Sequence, residues 1–118
     1  MSANNETGVL HPIDKIAKIC QEKDVLFFCD ATQHIGKLPL DLQQVAIDIL
    51  CLSAHKFHGP KGIGALFIRR KSKPIQIPSL ITGGNQEHGL RGGTYAVPQI
   101  VGMGEAVKRF EFSSNIGA

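Results

Sequence analysis

The feature that most restricts the fold is a short apolar run, Ile47-Asp48-Ile49-Leu50-Cys51-Leu52, that stops at Ser53-Ala54-His55-Lys56-Phe57-His58-Gly59-Pro60-Lys61-Gly62-Ile63-Gly64. Aliphatic side chains in so brief a run, closed by Gly and Pro, predict a buried strand followed by a tight turn. Lys56 then stands just past a strand end, flanked by Ser and His. An amine attacks a carbonyl only when deprotonated, and partial burial beside other cations lowers a lysine's pKa toward neutrality. Ser53 Oγ, the His55 imidazole and backbone N–H groups of the turn suit a phosphate beside that amine.

A second apolar run, Val25-Leu26-Phe27-Phe28-Cys29, ends in Asp30-Ala31-Thr32-Gln33. A carboxylate at the C-terminal end of a strand points into the crevice where open α/β sheets bind ligands. Asp30 there can hold a pyridine nitrogen protonated, and the Gln33 amide can bond a phenolic oxygen. Lysine, phosphate cup and acidic partner are together the needs of pyridoxal phosphate. Each residue also has a plainer reading, Asp30 as a turn cap and Lys56 as one of 13 basic residues in solvent. Their pairing at matching strand ends favours the site.

Between and around these runs the chain alternates helix and strand. Pro12 opens an amphipathic helix with Ile13, Ile16, Ala17, Ile19 and Cys20, running to about Lys23. Strands are expected at Val25–Cys29, Ile47–Leu52 and Ala65–Arg69, with a helical turn over Asp41–Val45. Pro78 keeps Ile75-Gln76-Ile77 from being a central strand. Residues 83–93 form a Gly-rich loop whose paired glycines suit either an anion nest or flexible turns. Pro98 opens a last helix with Val97, Val101, Gly104 and Val107 on one face. The expectation is an α/β architecture with both sheet faces covered.

Charge and cysteines narrow the chemistry. The formal charge is +3, and the only basic run, Arg69-Arg70-Lys71-Ser72-Lys73, lacks interleaved aromatics. It reads as a solvated strand-end turn, so no nucleic-acid partner is expected. Cys20 falls on a helix stripe, and Cys29 and Cys51 fall inside strands, where a free thiol acts as a small apolar group suited to a reducing cytoplasm. Cys29, Asp30, His34, His55 and His58 match no zinc spacing, so no metal is expected. No apolar run approaches the ~20 residues of a membrane span.

Four blocks in order resemble the cysteine desulfurases, in the branch that serves iron–sulfur assembly. They are Asn4-Asn5-Glu6-Thr7-Gly8; Asp30-Ala31-Thr32-Gln33 with Gly36-Lys37-Leu38-Pro39; Ser53-Ala54-His55-Lys56 with Gly59-Pro60-Lys61-Gly62-Ile63-Gly64; and Gly83-Gly84-Asn85-Gln86-Glu87-His88-Gly89-Leu90-Arg91-Gly92-Gly93-Thr94. The resemblance implies part of the large pyridoxal-phosphate domain of the aspartate-aminotransferase-like fold. It implies Lys56 as the cofactor-bearing lysine and proton carrier, and Asp30 on the ring nitrogen. Gln33 and Asn5 would meet the phenolic oxygen. Ser53 and His55 would bind the phosphate, with Thr94 serving a phosphate across a homodimer interface. The implied reaction takes sulfur from L-cysteine, leaving L-alanine and an enzyme persulfide for a sulfur-acceptor or scaffold protein.

The chain also departs from that family. A ring-stacking histidine, a further phosphate-binding threonine, the arginine for the substrate carboxylate and the persulfide cysteine have no counterpart here. The resemblance therefore implies a central piece, with Met1 at an internal position, residues 1–109 in the cofactor domain and 110–118 a tail unlike the family. Such a piece is expected to be inactive by itself. Two other readings stay open: a truncated, non-catalytic fragment, and a related pyridoxal-phosphate enzyme such as a selenocysteine lyase or an aminotransferase.

Overall fold

A computed structural model describes residues 1–114; 115–118, the end of the expected tail, lie outside the described residues. The first helix, α1 (Ile13–Glu22), follows Pro12 and carries Asp14 in its first turn. It buries Ile13 and Ala17, with Ile16 and Cys20 half-buried beside them. That i, i+3, i+4, i+7 stripe excludes Ile19, which is 56 % exposed, because 100° per residue carries it round the helix.

Strand β1 (Phe28–Asp30) is shorter than the apolar run suggested. The Val25 N–H donates back to Cys20 O at 3.0 Å, so Val25 finishes the helix end instead of joining a ladder. Asp24 makes that reversal with a φ of 53°. Strand β2 (Ile49–Ser53) starts two residues late for a similar reason: Ile47 N–H still donates to Val45 O in the preceding turn. Strand β3 (Gly64–Ile68) completes a three-stranded sheet in the order β1-β2-β3. β1 and β2 are parallel, with Phe28, Cys29 and Asp30 opposite Ile49, Leu50 and Cys51. β2 and β3 are antiparallel.

One sheet face is covered. Ile13, Cys29, Ala31, Ile47 and Leu50 form its core, joined by Phe27, Ile35, Leu40, Leu42, Val45, Leu52 and Phe67. α1 and the β1–β2 connection thus cover the side where Cys29 and Leu50 point. The other face stays open among the described residues, with Phe28 59 % and Leu66 52 % exposed. The expectation of two covered faces is corrected here, because the second long helix packs elsewhere. α2 (Val97–Ser114) lies against the lysine turn through Ala106 and Met103, which meet Ala54 and Phe57. The face that carries Val97, Val101, Gly104 and Val107 is turned outward: Val101 is 65 % exposed, and the other three are exposed too. Small Ala106 and Gly102, the latter near Pro60, allow the close approach that the bulkier valines would prevent.

The basic run is an exposed strand-end turn from Arg70 to Lys73, as expected, but half-buried Arg69 and the Lys71 ammonium also hold the chain beneath it. Arg69 donates to Ile47 O (2.7 Å), Leu42 O (2.6 Å) and Val45 O (3.1 Å). Lys71 pairs with Asp48 at 2.9 Å. Asp48 is buried and also accepts the Phe27 N–H at 2.9 Å. These contacts tie the chain at the start of β2 to the segment ahead of β1 and to the residues after β3. Burial pushes the Asp48 carboxyl up, but the Phe27 amide, Lys71 and Arg69 together bring it below the usual value.

Asp48→Ala should therefore lower stability by about 1.5–3 kcal/mol at pH 7, the size of lost hydrogen bonds to a charged group. A carboxyl held lower in the folded chain stabilises fully above its unfolded value of about pH 4 and loses that effect as pH falls. Urea unfolding should show a wide gap between the two proteins at pH 7 and a narrow one at pH 3.

Candidate functional site

Parallel pairing brings the C-terminal ends of β1 and β2 side by side, and Ala31 N–H extends the ladder to Cys51 O at 3.0 Å. On the other edge of β1, Ser2 donates to Asp30 O from its N–H at 2.8 Å and from Oγ at 3.3 Å. The chain then turns at once: Asn4 Oδ1 accepts the Glu6 and Thr7 amides at 2.9 and 3.2 Å. Asn5 is exposed on that turn. Three turns, at residues 4–8, 31–35 and 53–59, thus leave neighbouring positions at one end of the sheet.

The Asp30 carboxylate accepts the Thr32 amide at 2.9 Å. The Thr32 side chain and then its amide hold that carboxyl below the usual range, outweighing the opposite effect of burial. Asp30 is therefore an anion at neutral pH. In the turn that follows, Gln33 Oε1 accepts Lys37 Nζ at 2.8 Å, which leaves the Gln33 amide N–H groups to donate elsewhere. Sequence reasoning gave Lys37 no role, although its i, i+4 spacing from Gln33 is the signal for that pair.

Ser53 closes β2, and its Oγ lies 2.8 Å from His55 Nδ1. Lys56 is half-buried in a single 3₁₀ turn, Ala54–Phe57, above the fully buried Ala54 and Phe57. His58 ends the turn at a φ of 66°. Gly59 N–H then donates to Ala54 O at 2.9 Å, an approach that leaves no room for a Cβ. Gly36 does the equivalent between the two site turns: its φ is 81°, and a Cβ there would overlap the Phe57 side chain. The Asp30–Gln33 turn and the lysine turn touch because that position is glycine.

Asp30, Gln33, Ser53, His55 and Lys56 thus share one end of the sheet. Thr94 is exposed in a separate loop, where its carbonyl accepts Arg91 Nη1 at 3.3 Å. Among the described residues no hydrogen bond joins Asn5 or Thr94 to the other five. That Gly-rich loop closes on itself: Gly92 N–H donates to Ile81 O, Gly93 N–H to Gln86 Oε1, and Glu87 N–H to the Tyr95 hydroxyl. With the Gly92 and Gly93 amides spent inside the loop, the anion-nest reading fails at that glycine pair. Of the three thiols only Cys29 is fully buried, while Cys20 and Cys51 are half-buried. Among the described residues no three His, Cys, Asp or Glu side chains are placed to hold a metal ion.

The family profile described as Aminotransferase class-V matches residues 1–117. The chain belongs to the class-V aminotransferases. It is 52 % identical over 108 residues to the cysteine desulfurase IscS of Mannheimia succiniciproducens, covering 92 % of this chain and 26 % of that protein. The mitosomal cysteine desulfurase of Trachipleistophora hominis is 51 % identical over 106 residues, covering 90 % of this chain and 24 % of that protein. A NifS-like protein of Rickettsia africae superposes with a TM-score of 0.87 at 36 % identity, covering 98 % of this chain and 31 % of that one. A structure described as SspA in complex with cysteine gives a TM-score of 0.83 at 49 % identity, over 92 % of this chain and 31 % of that one. The chain spans about a quarter of the length of the curated relatives it matches. The fold is accordingly a part of the class-V aminotransferase domain, as the four sequence blocks suggested.

Gly36→Ala tests the contact between the two turns. The new methyl must displace the Phe57 side chain or the Asp30–Gln33 turn, at about 1–3 kcal/mol for an overpacked site and more with its left-handed backbone. Thermal unfolding should show a lower midpoint for Gly36→Ala. Gly104→Ala, on an open helix face, should leave the midpoint unchanged or raise it.

Proposed function

We propose that the polypeptide carrying these residues is a pyridoxal-phosphate-dependent cysteine desulfurase. The observation that carries this reading is the ionised Asp30 carboxylate held one strand away from Ser53, His55 and Lys56. That donor set fits the cofactor: an anion for the ring nitrogen, a hydroxyl–imidazole pair for the phosphate, and a half-buried lysine amine. Asn5 and Gln33 serve the phenolic oxygen, and Thr94 serves the phosphate of a second copy in a homodimer. When bound, the cofactor supplies an electron sink that lets the bonds at the amino-acid α- and β-carbons break.

The protein's own groups have separate tasks. Asp30 keeps a proton on the ring nitrogen by presenting a charge that Thr32 has already oriented. Gln33, its oxygen engaged by Lys37, donates N–H to the phenolic oxygen. Ser53 and His55 hold the phosphate against the turn. Lys56 Nζ carries the proton removed from the substrate α-carbon. In the net reaction the cysteine C–S bond breaks and a sulfur–sulfur bond forms on an acceptor thiol, while the former thiol proton ends on carbon as alanine. The acceptor cysteine belongs to a segment beyond these residues, as do the groups for the substrate carboxylate. The 118-residue chain should therefore release no alanine by itself, because a catalytic set acting as a unit collapses without its partners.

The partners proposed for the complete enzyme are L-cysteine, a second copy of itself, and a sulfur-acceptor or scaffold protein of iron–sulfur assembly in the cytoplasm. Residues 1–109 are proposed as cofactor domain; α2 and the family profile both continue past 109, to Ser114 and residue 117. Among the described residues no helix is long and apolar enough to cross a membrane.

Borohydride reduction of a full-length desulfurase bearing this segment should leave the pyridoxyl group on Lys56. Mass-spectrometric peptide mapping that finds it on Lys61 or Lys37 would overturn the lysine assignment. Asp30→Asn keeps the shape but removes the charge. It should retain bound cofactor while lowering kcat by roughly 10²-fold or more, the scale of a lost charged stabiliser. An unchanged kcat would leave Asp30 as a turn residue only.

A further inference from the structure

Cys51 lies directly opposite Asp30 in the parallel ladder. Residues paired in that way project to the same face of a sheet, with Cβ atoms close enough for side chains to meet. The face they share is the open one, where Phe28 and Leu66 are more than half exposed. A thiol there gains little from packing; the packed thiol of this sheet is Cys29, on the opposite face. Opposed in this way, the Cys51 side chain stands beside that of Asp30 on the same face of the sheet.

We propose that Cys51 is a positioning residue for Asp30, its S–H donating to the carboxylate from the neighbouring strand. Together with the Thr32 amide, this thiol would hold the carboxylate from a second side. Ser2, Cys29 and Thr32 complete the setting: Ser2 and the Cys29 thiol donate to the Asp30 main-chain oxygen, and Thr32 donates to the carboxylate. Burial, then the charge of Asp30 itself, pushes the Cys51 thiol up from its ordinary value. The sulfur is therefore protonated at neutral pH and is a donor. The proposal rests on Asp30 as the partner of the cofactor ring, and it makes Cys51 part of how that charge is presented.

The first test reads the contact with no cofactor present. Carbon-13 NMR of the 118-residue chain follows the Asp30 carboxyl through an acid titration, in wild type, Cys51→Ala and Cys51→Ser. Loss of a weak hydrogen bond to the anion should raise the midpoint by about half a pH unit in Cys51→Ala. Cys51→Ser, which keeps a donor, should restore it to the wild-type value or below. An unmoved midpoint in Cys51→Ala, or equal shifts in both variants, would overturn the proposal, since the second pattern is that of packing alone.

The second test uses a full-length desulfurase bearing residues 1–109 and stands even if the isolated variant chain does not fold. The acid limb of its kcat/KM profile should move up with Cys51→Ala and return with Cys51→Ser. An acid limb that stays in place overturns the positioning role. Asp30→Asn is the control for the underlying reading. If it leaves the absorption spectrum of the bound cofactor unchanged, the assignment of Asp30 to the ring fails, whereas the NMR shift still reports the Cys51–Asp30 contact.

Discussion

The parallel pairing of β1 with β2 is the constraint on which the rest of this structure depends. In register, it sets Asp30 opposite Cys51 and therefore two residues behind Ser53. Parallel strands end on the same side, so the polar residues that follow each strand collect at one edge of the sheet. An antiparallel pairing of the same two runs would send Asp30 and Lys56 to opposite ends. Three hydrogen bonds at the far end keep the register. Asp48 accepts the Phe27 amide there, and Phe27 O in turn accepts the Asp48 and Ile49 amides. A slip by one residue would also move Cys29 and Leu50 out of the core and onto the open face.

The site edge is held by turns rather than by long elements, and each turn has its own local lock. Thr32 closes the Asp30 turn, Asn4 closes the N-terminal one, and the left-handed His58 with Gly59 closes the lysine turn. Two buried side chains, Ala54 and Phe57, seat the lysine turn on α2. Gly36 joins that turn to the one carrying Gln33. The result is a set of polar groups on short segments, each anchored by something apolar beneath it, which is how loops come to hold chemistry with little freedom.

The open sheet face and the outward valines of α2 have a common cause. A segment about a quarter the length of its relatives supplies one helix and one connection to cover the sheet, and both lie on the same side. α2, the other long helix, is used to back the lysine turn. Its contact face was hard to read because Ala106, Gly102 and Met103 carry a weaker apolar signal than the valines that face away. Small residues win at that contact because the turn's backbone must come close.

The sequence by itself determined the order of elements, the strand ends at which chemistry collects, and the family to which the chain belongs. Those features are local: turn residues and the apolar period act within a few positions, and the four blocks stand at fixed spacings. Only the tertiary structure decided that Val25 caps a helix rather than pairing, that Arg69 binds three carbonyls, and which face of α2 is buried. It also decided that Cys51, which reads as one more apolar strand residue, stands opposite Asp30 on the adjacent strand. Each of these depends on which backbone groups already have partners and on which strand lies alongside, and neither quantity is written in the period of a single segment.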